Sequence, residues 1–193
     1  MTDTTNSLNK EITKLENQIW FTRKSRIRAS ERILSNHFHS NAILIWYSFL
    51  TFVLSIILIK YPKYLGDNAD VLMTIATGFV FTLSLFVPQL EFKNRSDKLK
   101  ENYIKLQSLI FELKLCRTEY QLKGINSEYL NLLYSVENHK TRDLLYFIIF
   151  DSDGGCERKL TFLESIYIII CVSIRLLILL AAYVLPPLII YCW

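Results

Sequence analysis

Two long stretches without a charged side chain dominate the pattern of apolar and polar positions. Residues 42–59 read AILIWYSFLTFVLSIILI, and residues 71–88 read VLMTIATGFVFTLSLFVP. A third stretch, from Ser165 to Trp193, carries one charge, Arg175. A helix rises ~1.5 Å per residue and bilayer hydrocarbon is ~30 Å thick, so about 20 apolar residues suffice to cross. The first two stretches, with their flanking Tyr and Trp residues, therefore predict transmembrane helices over 41–60 and 71–88, joined by a short external loop over 61–70. The third predicts a C-terminal hydrophobic helix over 161–193. Two readings of that tail stand: a tilted third span broken near Pro186-Pro187, which we prefer, or a helix packed partly against the polar bundle.

The polar segments are helical by their periodicity. Segment 1–40 reads as an N-terminal amphipathic helix, with Leu8, Ile12, Leu15 and Ile19 at three- and four-residue steps. Ala29 and Ile33 continue that stripe, and Trp20, Ile27 and Leu34 repeat at seven. Segment 89–160 reads as a helical bundle. Its first helix, 89–122, is expected to run straight on from Pro88. Its seam (Leu99, Tyr103, Leu106, Ile110, Leu113, Tyr120) has a coiled-coil rhythm, suited to completion between subunits. Gly124 is expected to end it, with a break at 124–127 and a cap from Asn126 or Ser127. The next helix would align Tyr129, Leu132, Val136, His139 and Asp143 on one face. The run LLYFIIF at 144–150 is too short to span, so it is buried in protein or lies at the interface. DSDGG at 151–155 predicts a turn, and Arg158 and Lys159 mark the edge of the last apolar segment. The fold class is an all-α membrane protein: a long N-terminal helix, a two-span hairpin, a helical bundle and a hydrophobic C-terminal helix.

Charge sets the orientation. The chain has 193 residues, 51% hydrophobic and 21% charged, and the two classes are segregated rather than mixed. Lys and Arg crowd the segments before the first span and after the second, whereas the loop YPKYLGDNAD contributes only Lys63. Positive charge favours the cytoplasmic face, so both long polar segments are expected there, N-terminus included. The +4 net charge suits an anionic inner leaflet. The first forty residues lack the apolar core of a secretory signal, so the first span is read as a retained anchor. Cys116, Cys156, Cys171 and Cys192 have no CxxC or disulfide-framework spacing and read as reduced thiols.

Little in the chain resembles catalytic chemistry. There is no GxSxG, HExxH or phosphate-cradling glycine loop, and no catalytic, metal or cofactor site is assigned; the chain does not read as an enzyme. His37 and His39 would point ~200° apart on a helix, a poor chelating geometry. His139 and Asp143, four apart on a helix, read as a structural hydrogen-bonded pair. DSDGG has only half the ligands of a calcium loop. Lys24, Arg28 and Arg32 form a basic row on one helix face, meeting lipid headgroups or an anionic ligand or partner. Basic residues interleaved with acids argue against direct nucleic-acid binding.

In the spans, Ser48, Thr51 and Ser55 share one face, and Thr74, Thr77, Gly78, Thr82 and Ser84 another. Thr74-xxx-Gly78-xxx-Thr82 is a small-xxx-small series that lets helices approach closely. Its hydroxyls either pack the hairpin or line a water-filled path in an assembly. Arg175 is an intramembrane charge, costly unless it snorkels, pairs or faces water.

Together these residues resemble a known family. Trp20-Phe21-Thr22-Arg23-Lys24-Ser25-Arg26-Ile27-Arg28 before two close spans resembles the opening of the SLATT family. Glu137-Asn138-His139 with Asp143, and a tail with Arg175 and Pro186-Pro187, are similar to the same family over roughly 10–193. That resemblance implies a bacterial inner-membrane, two-span effector of anti-phage defence, with a reverse transcriptase or nucleotidyltransferase as signalling partner. It implies a homo-oligomer that breaches the bilayer in the manner of a pore when triggered. A passive membrane receptor or scaffold that anchors a soluble partner is the alternative.

Overall fold

The computed structural model describes residues 2–150 and 160–192, and every regular element in them is an α-helix. In order they are α1 (Thr2–Lys60), α2 (Ala69–Gln89), α3 (Phe92–Leu115), α4 (Glu119–Tyr134), α5 (Thr141–Phe150) and α6 (Phe162–Cys192). The turn expected at 151–155 and the basic edge at Arg158 and Lys159 lie outside the described residues.

The N-terminal amphipathic segment and the first span are one helix of 59 residues. Residues 2–60 contain neither Gly nor Pro, so nothing in the sequence interrupts the hydrogen-bond ladder. Two expected joints move. The chain does not run straight on after Pro88: α2 ends at Gln89, and Glu91 adopts a left-handed φ of 47° before α3 begins. The break expected at 124–127 lies at 116–118, because Thr118 and Gln121 form a reciprocal capping box that starts α4. Gly124 then falls inside α4, where a Cβ would meet nothing within 4 Å.

Two compact units divide the chain. The first comprises Met1–Ile33 and Lys93–Ile168. Its apolar core joins Leu15 and Ile19 of α1 to Leu106, Leu109, Ile110 and Leu113 of α3, and to Leu122, Ile125 and Tyr129 of α4. The α3 seam is thus closed within one chain: Leu99, Leu106, Ile110 and Leu113 are buried without a second subunit. Tyr120 is not part of it. The helix break shifts its phase, and it stands 88% exposed. Helix α5 buries Leu145, Phe147 and Ile148, so the short LLYFIIF run packs into protein.

The second unit comprises Leu34–Phe92 and Ile169–Trp193. Here α6 runs parallel to α1: Arg175 meets Ser35 and Asn36, Tyr183 meets His39 and Trp46, and the carbonyl of Ile190 accepts from Tyr64. Three helices are long and apolar enough to cross a membrane, and their apolar windows bury 0%, 0% and 6% of their residues.

Candidate functional site

The stripe that begins with Leu15 and Ile19 does not stay apolar. Three and four residues on, the same face of α1 presents Thr22, Arg26 and Ser30, all buried, before returning to Ile33. Each meets a different partner. The Thr22 hydroxyl pairs with the Tyr129 hydroxyl at 2.8 Å. Ser30 and Ser96 each donate to the other's backbone carbonyl, at 3.1 and 3.0 Å, which small side chains at a close helix crossing allow.

Arg26, between them, has no exposed surface. Its Nη1 donates to the Asn102 Oδ1 and to the carbonyl of Leu132, and its Nη2 donates to the carbonyl of Leu133. Those carbonyls lie in the last turn of α4, where the helix dipole is negative, so the guanidinium takes the place of a capping cation. Among the described residues no carboxylate pairs with it, and its Nε is buried without a hydrogen-bond partner. Burial lowers its proton affinity, yet a guanidinium stays charged at any physiological pH. Asn102 completes the joint by donating to the Leu132 carbonyl and the Ser135 hydroxyl.

The connector 135–140 carries the chain from this joint to α5. His139 lies on it rather than on a helix with Asp143, which corrects the expected i, i+4 pair. The reason is local: Asp143 Oδ2 accepts from the Lys140 N–H at 2.9 Å, so helix α5 starts at Thr141. The carboxylate itself goes to Arg32, with Nε and Nη2 at 2.7 and 3.0 Å from its two oxygens. Buried Nδ1 of His139 has no hydrogen-bond partner among the described residues. Burial and then the charge of Arg26 hold His139 below the usual imidazole range, against a smaller opposing pull from Asp143.

On the other side of α1 the basic row Lys24, Arg28 and Arg32 lies beneath α5. Lys24 sits over the Trp20 and Phe147 rings, Arg28 over Tyr146 and beside Glu31, and Arg32 holds Asp143. At the connector, Arg95 grips Glu137 through a forked contact.

In the second unit the hydroxyl faces turn inward on their own helices. Ser48, Thr51 and Ser55 donate to carbonyls three or four residues earlier, as do Thr74, Thr77, Thr82 and Ser84. No tight hairpin is built on Gly78, where a Cβ would meet nothing within 4 Å. Arg175 donates to Ser35 and Asn36, which stand six or seven residues before the apolar run that opens at Ala42.

No group of three or more metal-ligating side chains converges among the described residues. The basic row and the hydroxyl faces were legible in the sequence. The buried row Thr22, Arg26 and Ser30 was missed, although its signal was there: polar residues standing on the continuation of an apolar stripe. Against known families, residues 8–193 match the SMODS and SLOG-associating 2TM effector domain family 5. No curated protein and no solved structure matches the chain.

Proposed function

Because the chain belongs to the SMODS and SLOG-associating 2TM effector domain family 5, part of the SLATT group, we propose that it is a bacterial defence effector that assembles in the inner membrane and breaches it when triggered. One observation carries this reading. The apolar windows of the three long helices bury almost none of their residues within a single chain, so these faces are left for lipid or for other copies. The face that holds Thr74, Gly78 and Thr82 suits copies, since small residues let backbones approach. The basic residues flanking the first two spans support a cytoplasmic N-terminus. With α6 parallel to α1, a crossing α6 would leave the C-terminus outside, as a third span beyond the two of the family's name. The trigger, on this reading, comes from a nucleotide-signalling enzyme or a reverse transcriptase.

Exposed apolar side chains on α3 and α4, among them Phe111, Leu115 and Tyr120, favour a second reading in which the protein anchors a soluble partner. Inducible expression with a membrane-potential dye separates the two. Wild-type protein is expected to collapse the potential, and Gly78→Leu, whose Cβ meets nothing within 4 Å in the chain, is expected to preserve it at equal membrane abundance. An intact potential with wild-type protein, under triggered and untriggered conditions alike, would leave the anchoring role.

A further inference from the structure

We propose that Lys24, Arg28 and Arg32 form a binding site for a phosphate-bearing anion, covered by α5, and that such an anion opens the site by displacing Asp143. This builds on the triggered-effector reading and supplies a step by which the trigger state is reached.

The first argument is geometric. Residues four apart on a helix stand ~5–6 Å from one another, so the three cations face one side at one-turn spacing. Arg32 grips both oxygens of Asp143, through Nε and Nη2. This fork is the one a guanidinium uses on phosphate, so the Asp143 carboxylate stands where two phosphate oxygens would sit.

The second argument concerns charge. Arg32 meets Asp143, and Arg28 meets Glu31. Among the described residues Lys24 has no carboxylate partner; its ammonium lies 5.5 Å from the Trp20 ring and 5.2 Å from Phe147. Ring faces attract a cation but accept no full hydrogen bond from it. A dianionic phosphate would serve Lys24 and the two arginines together, which a single carboxylate does not.

The cover is short, and its packing rather than its length holds it. Helix α5 has ten residues, whereas isolated helices shorter than ~12–15 residues are marginal in water. Asp143 is the one residue of α5 seen in an ion pair to α1 among the described residues, and it also caps the helix's own N-terminus. Losing it from Arg32 removes that ion pair and leaves the ring contacts of Lys24 and Arg28 as the charged contacts described between the two helices. The place fits a membrane source, because Arg32 stands ten residues, ~15 Å, ahead of Ala42. That is within reach of headgroup phosphates; a free phosphate compound has the same chemistry.

Hydrogen exchange on the full chain in nanodiscs tests this. Three conditions are compared: phosphatidylcholine, phosphatidylglycerol, and phosphatidylcholine with inorganic pyrophosphate. In one or both phosphate-rich conditions, amides of 144–150 are expected to exchange at least about tenfold faster than in phosphatidylcholine alone, a ~1.4 kcal/mol shift in opening. A response to phosphatidylglycerol alone assigns the site to headgroups, and a response to pyrophosphate assigns it to a soluble anion. Arg32→Gln combined with Lys24→Gln is expected to abolish the response. Equal exchange of the wild type in all three conditions overturns the proposal, as does a response that survives the double substitution. Neither result bears on the dye experiment, so failure here leaves the effector reading standing.

Discussion

The indole Nε1 of Trp46 donates to the backbone carbonyl of Tyr183 at 3.1 Å. That carbonyl lies four residues before Pro187, which has no N–H to offer it, so α6 brings into its own second half an acceptor its ladder cannot satisfy. Trp46 supplies the missing donor from α1. Trp46→Phe keeps the aromatic packing but orphans the carbonyl, an expected cost of about 1–3 kcal/mol. Pro187→Ala restores an internal donor, so the double variant is expected to recover most of that loss in thermal melts in mild detergent. A double variant no more stable than Trp46→Phe would show that the indole acts by packing alone.

His139 makes stability depend on pH. Its folded-state pKa is lowered by burial and by Arg26, so the unfolded chain binds the proton more readily. The neutral ring's contribution is fully present above the unfolded value of ~6.5 and is lost as pH falls below it toward the lowered folded value. Melting midpoints are therefore expected to drop between pH 7.5 and 5.5, and His139→Gln to flatten that part of the profile. A slope unchanged by the substitution would place the titration elsewhere.

Arg26 sets two effects against each other. Burying a guanidinium without a carboxylate is costly, and apolar replacements of buried charges are often neutral or better. Here, though, the cation serves the Asn102 oxygen and two carbonyls at the end of α4, and Arg26→Met leaves the Leu133 carbonyl and Asn102 Oδ1 without it. A charged hydrogen bond is worth about 1.5–3 kcal/mol, so the bonds are expected to win and Arg26→Met to destabilise by roughly that amount. Arg26→Lys is expected to do little better, since one ammonium nitrogen has to replace two separate guanidinium nitrogens, Nη1 and Nη2, each placed at its own acceptors. Denaturation in detergent decides; a Met variant more stable than wild type would put the burial penalty ahead.

The joint between α3 and α4 gives an opposed pair. Thr118→Ala removes half of a capping box and is expected to cost about 1 kcal/mol. Gly124→Ala replaces a glycine inside α4, where the new Cβ meets nothing, and is expected to gain about 0.5–1 kcal/mol. If Gly124→Ala destabilises instead, the helix ends at Gly124 after all.

Periodicity carried most of the fold. The apolar runs located three long helices, and the stripe on α1 named Leu15, Ile19, Ala29 and Ile33, all of them buried. It did less well where two local signals compete. Gly124 is a helix-end signal, but the Thr118–Gln121 box a few residues earlier fixes α4 more firmly than one glycine disrupts it. Glu91 has no sequence mark of its left-handed conformation. His139 and Asp143 have helical spacing, but a carboxylate that caps its own helix cannot also hold a residue one turn upstream on that helix. Arg26 was passed over because an isolated arginine in WFTRKSRIR looks like any other surface cation. What distinguishes it from Arg28, two residues along, is its place on the continuation of the Leu15 and Ile19 stripe, over which α3 and α4 pack.

The absence of Gly and Pro from residues 2–60 has a mechanical consequence. Sharp kinks in helices are seated at proline, at glycine or where the ladder is interrupted. Helix α1 offers neither of the first two over its 59 residues, so any bend in it has to be shared among many turns.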